Sequence, residues 1–90
     1  MKIILNKCYG GYSLSDELMR VANAPYAHDD ETRTNPDLIA YLQAHPETGK
    51  FHYTDLRVVE IPDTTTDWMV DEYDGMESIT YVVDGKLNWA

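Results

Sequence analysis

Two Asp-Gly steps, Asp74-Gly75 and Asp84-Gly85, constrain what this chain can fold into more than any other feature. An Asp-Gly pair supplies the left-handed backbone that a tight two-residue hairpin needs, and each pair lies between runs of β-branched, aromatic and alternating residues. The C-terminal third is therefore expected to be an antiparallel meander with strands at 67–73, 76–83 and 86–90. A two-residue turn at Asp74-Gly75 sets Tyr73 opposite Met76, Glu72 opposite Glu77, Val70 opposite Ile79 and Trp68 opposite Tyr81. One face then carries Trp68, Val70, Ile79, Tyr81 and Val83, an apolar surface for helices to cover. The same register sets Glu72 beside Glu77 near the hairpin tip, so either that end projects into water or the register differs.

The first two-thirds supply the remaining elements. Residues 1–7 read as a strand, because Ile3, Ile4 and Leu5 are apolar in succession, which suggests burial on both faces, and the run stops at Cys8-Tyr9-Gly10-Gly11. Ser13 or Ser15 offers a helix N-cap, with Asp16 and Glu17 in the first turn and Leu14, Leu18 and Met19 at helical spacing; this helix ends near residues 23–25. Residues 26–34 are polar and aperiodic and are expected to form an exposed, mobile loop. Asn35-Pro36-Asp37 marks a second helix sharply: an Asn cap, a proline where its missing donor is harmless, and an acid behind it. Its buried side is Leu38, Ile39, Tyr41 and Leu42, and Pro46 closes it before a turn at 47–50. Residues 56–61 form a further strand, ended by Pro62-Asp63. The expected fold is α+β over residues 1–90 as a single domain: a small antiparallel sheet of about four or five strands packed with two helices.

Composition narrows the functional classes. Hydrophobic residues make up 43% of the chain, enough for a packed core, while no apolar run approaches the roughly 18–20 residues of a membrane span. No signal-peptide pattern is present, and the lone Cys8 allows neither an intramolecular disulfide nor a multi-cysteine metal site; a cytoplasmic location is the expectation. Sixteen acidic residues against seven basic give a net charge of −9. Phosphate binding needs clustered Lys and Arg, so direct nucleic-acid binding is not expected, whereas attraction to a basic protein surface is. The plainer reading of the charge is that it keeps a small protein in solution.

Several groupings invite chemical readings. The Leu5–Leu18 segment, strand then glycines then helix, could present Gly10, Gly11, Ser13 and Ser15 to a small ligand or nucleotide, although it lacks P-loop and dinucleotide spacings and Asp16 and Glu17 would repel phosphate. Cys8 with His28, His45 or His52 would be a nucleophile and base, yet no histidine sits in a recognisable signature, and a packed thiol is the simpler reading. Asp71, Glu72, Asp74 and Glu77 cluster on one hairpin without calcium-loop spacing; no metal or other cofactor is expected, and a protein-docking patch is the preferred role. Tyr9, Tyr12, Tyr26 and Tyr53 fall in or near loops, where aromatic side chains favour interfaces.

The opening Lys2-Ile3-Ile4-Leu5-Asn6-Lys7-Cys8-Tyr9-Gly10-Gly11-Tyr12-Ser13-Leu14-Ser15, with Val58-Val59-Glu60-Ile61-Pro62-Asp63 and Glu72-Tyr73-Asp74-Gly75-Met76-Glu77, resembles a family of small bacteriophage and prophage proteins. Its marks are an N-terminal KCYGGF-like motif, a central helix opened by a DP or NP step, and a C-terminal EIPD…EYDG segment. Tyr12 stands where the family has Phe, and residues 23–34 match no part of the pattern. The resemblance implies a phage or mobile-element setting, with no activity or catalytic residue to carry over. The reading that follows is a non-enzymatic, phage-encoded acidic protein, in the host cytoplasm, that inhibits or modulates a host factor, an anti-CRISPR-like defence inhibitor among the options. Its expected contacts are Asp29, Asp30, Glu31, Asp71, Glu72, Asp74, Glu77, Tyr9 and Tyr12, with a homo-oligomer left open.

Overall fold

The computed structural model describes residues 1–90 and has an α+β architecture in three layers. In chain order the elements are β1 (Lys2–Asn6), α1 (Asp16–Ala22), a 3-10 turn (Asp30–Thr34), α2 (Pro36–Ala44), a second 3-10 turn (Pro46–Gly49), β2 (Lys50–Phe51), β3 (Thr54–Glu60), β4 (Asp67–Tyr73), β5 (Met76–Val83) and β6 (Lys86–Trp89). The strands form two three-stranded antiparallel sheets, ordered β1-β3-β2 and β4-β5-β6. No helix is long and apolar enough to cross a membrane.

Local signals act where the sequence places them. Ser15 caps α1 by accepting the Leu18 N–H, and Asn23 closes it in the left-handed region. Asn35 accepts the N–H groups of Asp37 and Leu38 at the start of α2, with Pro36 in the first turn. Both Asp-Gly pairs have positive φ at each residue, 52° and 85° at residues 74 and 75, and 52° and 74° at residues 84 and 85. These turns hold the β4–β5 register that the turn length dictates, Glu72 opposite Glu77 included.

β1 is buried on both faces, and this divides the core in two. Ile4 points with Leu56 toward α1 and α2, where Leu14, Leu18, Leu38 and Leu42 close a first cluster. Ile3 and Leu5 point the opposite way and meet Ile61 and Ile79, with Val59, Trp68, Val70 and Tyr81 around them. The apolar face of the meander is thus covered by β1 and β3. The helices lie on the far side of that strand pair, contrary to the expectation that they would cover the meander. The expected α+β fold of antiparallel strands and two helices is the one that forms, its six strands shared between two sheets that pack through Ile3, Leu5 and Ile79.

Residues 26–34 also depart from the expected exposed loop. The Asp30–Thr34 segment is a 3-10 turn in which Thr32 and Arg33 are buried, and Asp29 before it is 8% exposed. Asp29 accepts the Glu31 N–H through its side chain and the Thr32 hydroxyl through its carbonyl, 3.1 and 2.6 Å. Polar residues that satisfy one another produce no hydrophobic period, so no pattern announced this element.

The second hairpin turn differs from the first in its surroundings. A Cβ on Gly75 would lie inside contact distance of the Tyr9 main chain, whereas one on Gly85 meets nothing within 4 Å. Gly85→Ala is therefore expected to cost only the left-handed backbone penalty, about 1–2 kcal/mol. Gly75→Ala adds a backbone clash and should cost at least about 1 kcal/mol more, read from the difference in denaturant midpoints.

Candidate functional site

Three turns meet at the Asn6 end of β1: residues 8–11, His52-Tyr53 and Asp74-Gly75. Gly10 donates its N–H to the Tyr53 carbonyl at 2.6 Å, close enough that a side chain at Gly10 would strike the Tyr53 backbone. Asn6, fully buried, fastens the first and third of these turns and the start of β3, which follows the second. Its amide nitrogen donates to the carbonyls of Cys8 and Gly75 at 2.6 and 2.7 Å, and its carbonyl oxygen accepts the Asp55 N–H at 2.9 Å.

Beneath the turns lies a buried ion pair. Arg33 meets Glu77 in a two-pronged contact, Nη1 to Oε1 at 2.8 Å and Nη2 to Oε2 at 2.6 Å, with Glu77 6% exposed. Arg33 Nη1 also donates to the Ile4 carbonyl at 3.0 Å, and Glu77 Oε1 accepts the Asn6 N–H at 2.8 Å. The guanidinium carbon sits 3.9 Å from the centre of the Tyr12 ring, and the Tyr12 hydroxyl is bonded to Thr32 Oγ1 at 2.7 Å. Lys7 Nζ donates to the Glu77 carbonyl at 2.7 Å. No buried side-chain nitrogen or oxygen lacks a partner. Burial of Arg33 opposes its charge, but the bond and charge of Glu77 outweigh it and raise its pKa.

The pair answers the puzzle of Glu72 beside Glu77. Neither water nor a register shift is needed: Glu77 turns inward to Arg33, while Glu72, exposed, bends back to accept the Gly75 N–H. The like charges are separated by giving one of them a cation.

Above this network, Tyr9, Tyr53 and Tyr73 are 71%, 73% and 81% exposed on the three converging segments. Exposed Asp71, Glu72 and Asp74 lie on the same hairpin, and Met76 beside Tyr73 is also exposed. Asp30, exposed, accepts from Arg33 Nε at 3.2 Å. The tip therefore combines aromatic area with carboxylates. Carboxylates are not confined to it, since Asp16, Glu17, Asp37, Glu47 and Asp84 are exposed elsewhere. Convergence of the tyrosines, rather than charge alone, distinguishes this end.

Several expected contacts do not reach the surface. Glu77 and Tyr12 are consumed by the Arg33 network, and Asp29 caps the turn before Arg33, so none of the three faces a partner. Asp30, Glu31, Asp71, Glu72, Asp74 and Tyr9 remain exposed. The loop read as a ligand cradle is already occupied by its own fold: Gly10 packs under Tyr53 and the Ser15 hydroxyl caps α1, leaving Gly11 and Ser13 half-buried. His28 is bonded to the Tyr12 carbonyl at 3.0 Å, and His45 lies against Tyr41. No group of three or more His, Cys, Asp or Glu is placed to hold a metal ion. The largest groove, about 800 Å³ between the start of α2 and the Met1–Ile61 end of the sheet, lies at the opposite end of β1. Lys2 bridges to Gln43 there, and the N-terminal ammonium pairs with Asp63, which lowers the Asp63 pKa.

Tyr73 and Met76 were within reach of sequence reasoning, because alternation from the Asp74-Gly75 turn sets both on the outward face of the meander. Arg33 was not, since a lone arginine in a polar stretch carries no sign of burial. Against known proteins, no family model, curated protein or solved structure matches this chain.

Burial pushes the Tyr12 hydroxyl up to about 12 from its ordinary 10.0. The unfolded chain then ionises Tyr12 at lower pH than the folded one, so the stability it contributes is complete below pH 10 and is lost as pH rises toward 12. Two units correspond to about 3 kcal/mol. Tyr12→Phe should be about 1 kcal/mol less stable at neutral pH through the lost Thr32 bond, with a flatter decline above pH 10, measured by denaturant unfolding across pH.

Proposed function

We propose that this chain is a binding protein rather than an enzyme, and that it docks through the three-turn tip onto a basic surface of another protein. The observation that carries this reading is the convergence of exposed Tyr9, Tyr53 and Tyr73 with Asp71, Glu72 and Asp74 above a fully satisfied buried network. Tyrosine brings large contact area for little entropy, and a tip fastened by Asn6 and Arg33 has little conformational freedom left to lose on binding. The carboxylates steer the approach and select a partner rich in Lys and Arg.

The resemblance to phage and prophage proteins directs the proposal further. The partner is a host factor, met in the host cytoplasm, whose basic surface handles nucleic acid, and occupation of that surface inhibits it in the manner of an anti-CRISPR protein. Nucleotide sequestration by the Gly10–Ser15 loop is the weaker alternative, because Gly10 and Ser15 are already engaged within the fold.

The test is affinity for a nucleic-acid-handling host protein captured on the immobilised chain. Binding should weaken as salt rises, Asp71→Lys with Asp74→Lys should weaken it at least tenfold, and Tyr73→Ala should cost about 2 kcal/mol. An affinity indifferent to salt and to both changes contradicts docking through the tip.

A further inference from the structure

The meander has two free edges, and they are not alike. β4 carries Asp67, Asp71 and Glu72, charges of the kind that keep an edge strand from pairing with another chain. β6, with the sequence KLNW, has one charge, Lys86 at its start, and no carboxylate or proline, in a chain of net charge −9. Its Leu87 and Trp89 are 67% and 75% exposed.

The main-chain pattern shows where the unpaired groups point. Ile79 and Ala90 exchange both bonds, at 3.0 and 2.9 Å, and the register continues Tyr81↔Asn88 and Val83↔Lys86 on the same edge. In an antiparallel ladder the bonded pairs alternate, so the intervening Leu87 and Trp89 turn their N–H and C=O groups away from β5. We infer that this edge binds a second copy of the chain, strand to strand and antiparallel, about a two-fold axis at Asn88. Leu87 of one copy then stands opposite Trp89 of the other and exchanges both main-chain bonds with it, on each side of the axis. The two meanders become one six-stranded sheet, and the two Leu87-Trp89 pairs cover one another on its outward face.

Charge selects this occupant. Self-pairing through β6 brings no carboxylate opposite another, whereas self-pairing through β4 would gather Asp67, Asp71 and Glu72 of both copies along one seam. A basic extended segment from another protein would meet Lys86 rather than an acid, which argues for a second copy. The contact is a short strand and small in area, so association is weak. Two bodies of charge −9 also repel, so salt strengthens this contact, the opposite of its effect on docking at the tip. The inference does not rest on the tip reading, and the opposed salt dependences separate the failure of one from that of the other.

The test is sedimentation equilibrium across the micromolar to millimolar range at low and high salt. The average mass should climb from 10.3 kDa toward twice that value, further at high salt. Leu87→Pro removes the outward-facing donor and the Leu87 side chain without taking a bond from the β5–β6 ladder, and Trp89→Lys adds charge across the axis; each should weaken association at least tenfold. A chain that stays monomeric throughout, or variants that associate as tightly as the parent, would overturn the inference. Hydrogen exchange on the unaltered chain gives a readout free of any folding defect: protection of the Leu87 and Trp89 amides should rise with concentration, and protection that does not change sinks the idea.

Discussion

The fold turns on the ion pair between Arg33 and Glu77, because it completes a strand edge that nothing else covers. β1 pairs with β3 along one side only. On its other side the Ile4 carbonyl and the Asn6 N–H would be left unsatisfied in the interior, at a cost of about 1–3 kcal/mol each. Arg33 donates to the first and Glu77 accepts from the second, so two side chains take the place of a neighbouring strand. Bringing both charges out of water costs several kcal/mol per ion, offset by two-pronged geometry, the backbone partners and the face of Tyr12.

The same pair joins the layers. Arg33 comes from the turn beside the helices, Ile4 and Asn6 from β1 in the middle layer, and Glu77 from the meander. Asn6 continues the chain of bonds to the turns, holding the Gly75 carbonyl and the Cys8 carbonyl together. The exposed tyrosines stand on segments whose backbones are fixed from below. A surface held this way can be specific with few contacts, since partners need not order it.

What was legible in the sequence is what depends on local chemistry. Asp74-Gly75, Asp84-Gly85, Asn35-Pro36 and Ser15 each dictate backbone geometry within a few residues, and the β4–β5 register follows from turn length. Ile3-Ile4-Leu5 announced burial on both faces. What stayed hidden depends on long-range pairing of polar groups. Residues 29–33 read as solvent-exposed because Asp, Thr and Arg usually are, and only Glu77, 44 positions beyond Arg33, makes their burial favourable. Glu77 itself read as a docking contact for the same reason. The division into two sheets was hidden too, because the apolar face of a meander does not record whether a helix or a second sheet covers it.

A double-mutant cycle on Arg33→Met and Glu77→Leu, read as unfolding free energy, probes the central pair most directly. Each single change strands a buried charge and should cost about 3–5 kcal/mol, with the double variant losing less than the sum by about 2 kcal/mol or more. Single losses below about 1 kcal/mol that simply add would describe a solvent-screened surface pair, and would contradict a buried Arg33–Glu77 pair that holds the layers together.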